Sequence, residues 1–329
     1  MPSAIQALTR IKRIADDKPI ACHVYVTERC NLDCSYCTER DGSVPDPGLP
    51  DVTRWIDKVK ALGCTRIGIQ GGEPLLRPDV AAIVAHVKSR GMSCSLATNG
   101  FLLTGRVIRD LERAGLDDLH VSVDRARPDA ITRKALDSLE PRLRLLAGSS
   151  LRRHITSVLY EGSVADLPTI HRYAGSIGAS FKAHLVHGGG GLGVERTDRR
   201  ALEASIDWQL AEKRAGRGVR TTCSVLAHQK RLLAGRAGEG WTCLAGYKYL
   251  FVSARGAFWT CSMVRQPGIS ILDVTPEVLR SYDREKSCQK DCGVYCVVSE
   301  SLLNRRPLRF ALTEALGRLP PRLLFPRRP

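Results

Sequence analysis

Residues 21–37, ACHVYVTERCNLDCSYC, join a short apolar stretch to three closely spaced cysteines, Cys30, Cys34 and Cys37. The apolar part, Ala21–Thr27, has the length and composition of a strand, and the cysteines stand where a loop would begin. The same unit of strand and amphipathic helix then repeats. Further candidate strands are Arg66–Gly71, Ser93–Thr98, Asp118–Asp124, Arg153–Tyr160 and Ser180–His187. Helical patterns at Val52–Leu62, Asp79–Ser89, Gly105–Ala114, Asp129–Ala147 and Asp166–Ile177 separate them. Gly63, Gly91, Gly115, Gly148 and Gly178 close these helices, as helix C-termini favour. Repeated strand–helix units imply a parallel sheet with right-handed crossovers. The expected fold class is α/β, a partial (β/α)6 TIM-like barrel.

Ligand chemistry in such folds sits at the C-terminal ends of the strands. Cys30 follows the first strand, Gly71-Gly72-Glu73-Pro74 ends the second, and Thr98-Asn99-Gly100 ends the third. Ser122 and Asp124 finish the fourth. All four features are expected on one rim. Three soft thiolates suit an iron–sulfur cluster or zinc. Three ligands rather than four leave one coordination position open, which points to chemistry instead of a purely structural site.

At these residues the chain resembles the radical S-adenosylmethionine (SAM) superfamily, whose signature has this three-then-two cysteine spacing and an aromatic before the last cysteine, here Tyr36. Gly71-Gly72-Glu73-Pro74 matches that family's glycine-rich motif, and the resemblance covers roughly residues 20–187. It implies a catalytic [4Fe-4S] cluster on Cys30, Cys34 and Cys37, with SAM on its open iron. Reductive cleavage would give a 5′-deoxyadenosyl radical that abstracts substrate hydrogen. An electron donor such as flavodoxin or ferredoxin is implied as well. Gly71 and Gly72 would let the backbone approach the methionine moiety, and Glu73 could accept from its ammonium. Asn99 and Ser122 are candidates for ribose and carboxylate contacts, and Arg133 for the carboxylate. Tyr160, Glu161, His184 and His187 are candidates for substrate contact near the ends of the last two strands.

Gly188–Gly191 marks the expected barrel exit, followed by a polar helix over about 198–215 and another near 225–233. A second cysteine group then appears: Cys243, Cys261, Cys288, Cys292 and Cys296, with a hairpin-like stretch at Lys248–Ser262. It resembles the C-terminal SPASM or twitch modules of radical enzymes. That implies one auxiliary [4Fe-4S] cluster on Cys243, Cys261 and two of the last three cysteines; zinc is the other reading. Cys288, Cys292 and Cys296 would share one face if helical. Cys22, Cys64, Cys94 and Cys223 are read as buried apolar residues without a role. The expected parts are an N-terminal extension (1–19), the core (20–218), the auxiliary-cluster region (219–300) and a basic tail (301–329).

The 329 residues carry a formal net charge of +16, of which +9 falls in residues 221–329. This favours anionic partners, while 5% aromatics are few for a nucleic-acid surface built on base stacking. The cysteines are too few for a disulfide scaffold, and residues 1–10 lack the order of a signal peptide. A cytoplasmic protein is expected. The leading reading is a radical enzyme acting on a small molecule. Peptide maturation is the second reading, and a zinc-stabilised nucleic-acid-binding protein is the third. In the tail, Leu308, Phe310, Leu312, Leu316 and Leu319 flank a short helix, expected to pack on the barrel or to meet an anionic membrane or acidic partner.

Overall fold

The computed structural model describes residues 16–160, 162–186 and 198–317. Six parallel strands come first: β1 (Ala21–Tyr25), β2 (Arg66–Gln70), β3 (Ser93–Thr98), β4 (Asp118–Ser122), β5 (Arg152–Leu159) and β6 (Ser180–Leu185). They alternate with α1 (Leu49–Leu62), α2 (Val80–Ser89), α3 (Gly105–Arg113), α4 (Leu136–Leu143) and α5 (Leu167–Ser176). Helices α6 (Arg199–Arg214) and α7 (Cys223–Leu233) follow. Strands β7 (Tyr249–Val252), β8 (Ala257–Cys261) and β9 (Val264–Ser270) then lead to α8 (Pro276–Arg280), α9 (Tyr295–Arg305) and α10 (Pro307–Gly317).

The sheet runs β6-β5-β4-β3-β2-β1-β7-β8-β9 and does not close. It is the expected partial barrel. Because strand side chains alternate in direction, each strand has an outer and an inner set. Cys22, Val24, Ile67, Ile69, Cys94, Leu96, Leu119 and Val121 pack in the main apolar core with residues of the helices. The alternate residues His23, Ser95, His120, His154 and Lys182 belong to the concave side. Cys64 and Cys223 are buried, like Cys22 and Cys94.

Three sequence expectations are revised. The helix expected from Asp129 begins at Leu136, because the Asp129 carboxylate accepts from the backbone N–H groups of Ile131 and Thr132 at 2.9 and 2.8 Å and closes a turn. The expected hairpin exists as β7 and β8, but β7 also pairs in parallel with β1, Ala21 opposite Tyr249. The cysteines at 288, 292 and 296 do not share one helix. Cys288 lies in a 3-10 turn (Ser287–Asp291), Cys292 and Val294 are extended, and α9 starts at Tyr295.

In the tail, α10 packs beside α7 and α9, yet Leu308, Leu312 and Leu316 face solvent. Glu161, His187, Gly188–Gly191 and Leu319 lie outside the described residues. No helix among the described residues is long and apolar enough to cross a membrane.

Candidate active site

The loop after β1 carries Cys30, Cys34 and Cys37, which are half-buried, half-buried and exposed. It is held by the turn after β2. Gly72 N–H donates to Thr27 O at 2.9 Å and Glu73 N–H to Arg29 O at 2.8 Å, so the β1–β2 pairing continues past the strand ends. A Cβ on Gly71 would lie 2.5 Å from Thr27 O, and one on Gly72 would lie 2.2 Å from Arg29 O. The close approach these glycines permit is therefore to the chain's own cysteine loop. Gly72→Ala should cost roughly 2–3 kcal/mol, the scale of forced overpacking. Gly148→Ala, where nothing lies within 4 Å, should leave stability nearly unchanged. Thermal denaturation of the two variants checks this, and equal melting temperatures would refute it.

Glu73 is fully buried. Its carboxylate accepts from Leu75 N–H at 2.9 Å, Thr98 Oγ1 at 2.8 Å and Asn99 N–H at 2.7 Å, tying the end of β2 to the end of β3. Burial raises its pKa against these bonds. Asn99 is placed against the cysteine loop: Nδ2 donates to Asn31 Oδ1 at 2.7 Å and reaches Cys30 Sγ at 3.8 Å. Leu32 N–H points at the same sulfur from 3.4 Å. Burial pushes the Cys30 and Cys37 thiols up, with Leu32 N–H countering at the first and Lys134 among the groups countering at the second.

The segment between β4 and α4 covers the other side of the loop. Ser35 N–H donates to Ile131 O at 3.1 Å, and Cys34 Sγ lies 3.1 Å from Thr132 Oγ1. Tyr36 hydrogen-bonds Asp124, which pairs with Lys134 at 3.1 Å. Lys134 Nζ stands 4.8 Å from the centre of the Tyr36 ring. The cation expected here from the sequence was Arg133. Arg133 is exposed, its guanidinium over the Phe101 ring, and its neighbour Lys134 turns inward instead. Nothing in the local sequence marks Lys134 or Thr132: Cys34 and Tyr36, which they meet, are each 98 residues away in the chain. Ser122 stands opposite Thr156 in the β4–β5 register, at the same rim.

Among the described residues no three thiol, imidazole or carboxylate side chains are close enough to share a single metal ion. A four-iron cluster does not require that, since its cysteines bind different irons, and three partly exposed thiols on one braced loop fit such a group.

The second cysteine group gathers around Trp241. Cys243 N–H donates to Gln289 Oε1 at 3.2 Å and Lys286 Nζ to Cys243 O at 2.9 Å. His228 Nε2 meets Cys292 O at 2.8 Å. Burial, then the charges of Cys243 and Cys288 among others, pushes the Cys261 thiol up to about 11. Burial also raises Cys292, with Cys243, Cys261 and Cys288 adding to it. Those four thiols feel one another's charge. Cys296, pushed up to about 12 mainly by burial, feels Cys261 but otherwise faces Lys182 and Tyr249.

Residues 24–154 match the family model for the radical SAM superfamily. GTP 3′,8-cyclase of Lactiplantibacillus plantarum is 37% identical over 111 residues, 32% of this chain and 33% of that protein. PqqA peptide cyclase of Gluconobacter oxydans is 29% identical over 204 residues, 59% of this chain and 56% of that protein. The chain thus spans about a third of the length of the first of these curated relatives and just over half of the other. In fold, SuiB of Streptococcus suis, solved with its precursor peptide SuiA, superposes with a TM-score of 0.67 at 15% identity, covering 90% of this chain and 76% of that one. With the first five strands, the braced cysteine loop and the glycine turn all inside or beside the matched segment, residues 24–154 are a radical SAM superfamily domain.

Proposed function

We propose that the chain is a radical SAM enzyme whose Cys30, Cys34 and Cys37 hold the catalytic [4Fe-4S] cluster. A radical SAM domain over residues 24–154 implies a [4Fe-4S] cluster and SAM binding. Bound together, these supply a 5′-deoxyadenosyl radical for hydrogen abstraction. The observation that carries the proposal is the cysteine loop, fixed to the Gly71–Glu73 turn on the same rim as Asn99 and Ser122. Asn99 and Leu32 N–H direct donors at Cys30 sulfur, and Lys134 places a positive charge beside Cys34 and Cys37. Both features stabilise anionic thiolate ligands. The core is taken as residues 20–218, with residues 219–300 as an auxiliary-cluster region whose ligands are Cys243, Cys261, Cys288 and Cys292.

The substrate reading is a small molecule bearing an anionic group, bound in the barrel interior. Lys182 supports it: the side chain is half-buried there, its amine against the Tyr295 ring at 4.8 Å, and it has no ion pair or hydrogen bond among the described residues. A peptide substrate is the second reading, favoured by the similarity to PqqA peptide cyclase over more than half the chain. Anaerobically reconstituted protein, given SAM and dithionite, should form 5′-deoxyadenosine detectable by mass spectrometry. Iron-loaded protein that forms none would overturn the proposal.

A further inference from the structure

Helix α10 presents Leu308, Leu312 and Leu316 at intervals of four, 86%, 58% and 39% exposed, so one face is an apolar stripe in water. Beside it, between α7, α9 and α10, is a cavity of about 100 Å³ lined by Arg231, Arg305, Arg306 and Arg309 together with Trp241 and Phe310. No acid lines it. The Nε of Arg231 is buried there without a hydrogen-bond partner among the described residues.

The neighbouring acids are engaged elsewhere. Glu314 accepts from the backbone N–H groups of Cys223 and Ser224, and Glu239 pairs with Arg236. Asp283 pairs with Arg305 alone of the four arginines, and Arg306 and Arg309 have no acidic partner among the described residues. The site needs an oxyanion, and the stripe next to it needs apolar cover.

We propose that this face docks the protein on an anionic phospholipid surface, with a headgroup phosphate in the arginine cavity and the three leucines at the acyl boundary. Guanidinium groups match phosphate geometry through paired N–H donors. A basic cluster flanking exposed leucines on one helix is the pattern of an interfacial anchor. No residue of the cysteine loop takes part, so the inference stands apart from the proposed chemistry.

The test is co-sedimentation of the full chain with vesicles of phosphatidylcholine alone, and of phosphatidylcholine with an equal amount of phosphatidylglycerol. The wild type should bind the anionic vesicles and leave the neutral ones. Two variants, L308Q/L312Q/L316Q and R231M/R309M, should each bind about tenfold more weakly, with iron content and 5′-deoxyadenosine formation unchanged. Equal binding to both vesicle types, no binding, or variants that bind like the wild type would overturn the proposal. So would a wild-type dimer that the leucine variant dissolves without any lipid binding, since a second copy would then cover the stripe. A melting temperature raised by inorganic phosphate in the wild type but not in R231M/R309M, with no vesicle binding, would mark a soluble-oxyanion pocket and also overturn it.

Discussion

Alanine at any one of Cys30, Cys34 and Cys37 lowers 5′-deoxyadenosine formation to the no-enzyme background, while the fold persists. The loop's backbone is held by Thr27, Arg29 and Ser35 through hydrogen bonds that use none of the three thiols. Removing a thiol therefore deletes a ligand and at most a side-chain contact such as Cys34 Sγ–Thr132 Oγ1, leaving these backbone bonds in place. Each thiolate is one of three protein ligands, so none is redundant. In the triple variant about four irons should remain of about eight in the wild type, if both sites hold four-iron clusters. Iron and sulfide analysis after anaerobic reconstitution, with circular dichroism as a folding control, measures both. Near-normal cleavage in any single variant would sink the assignment.

Cys296→Ala retains close to the full iron content, whereas alanine at Cys243, Cys261, Cys288 or Cys292 removes about four irons. The contrast rests on the chain path. The 3-10 turn and the extended residues after it place Cys288 and Cys292 beside Cys243 and Cys261, and the start of α9 carries Cys296 toward Tyr249 and Lys182. SAM cleavage should survive partly in all five variants, because the auxiliary thiols lie outside the loop on β1. Loss of iron from Cys296→Ala comparable to that from Cys292→Ala would refute this ligand set. Stoichiometric zinc in the triple variant, with no iron, would make the region a structural zinc module.

The barrel was readable because its units are local. Each strand is a short apolar run and each following helix shows a clear face, so pattern and chain order suffice for β1 to β6. The cysteine loop and glycine turn were readable because spacing on a strand end is itself a local signal. What escaped depends on partners that composition and spacing do not mark. Arg133 and Lys134 are adjacent cations, and only the fold decides that Asp124 and Tyr36 draw in the second. The glycines were expected to admit a ligand, yet the missing Cβ atoms make room for Thr27 and Arg29. The late start of α4 turned on one carboxylate, that of Asp129, preferring its own backbone to a helical turn.

Strand β1 is hydrogen-bonded on both sides, to β2 and to β7. Its partner on the second side lies more than two hundred residues further along the chain. During synthesis, β1 and β2 can pair early, but the other edge of Ala21–Tyr25 has no partner until Tyr249–Val252 has been made. An apolar edge left open that long is a template for pairing between chains. The contact also raises the mean sequence separation of the native pairings, which slows folding. Residues 241–262 thus do more than carry two cysteines: they supply the strand that retires an aggregation-prone edge at the root of the cysteine loop.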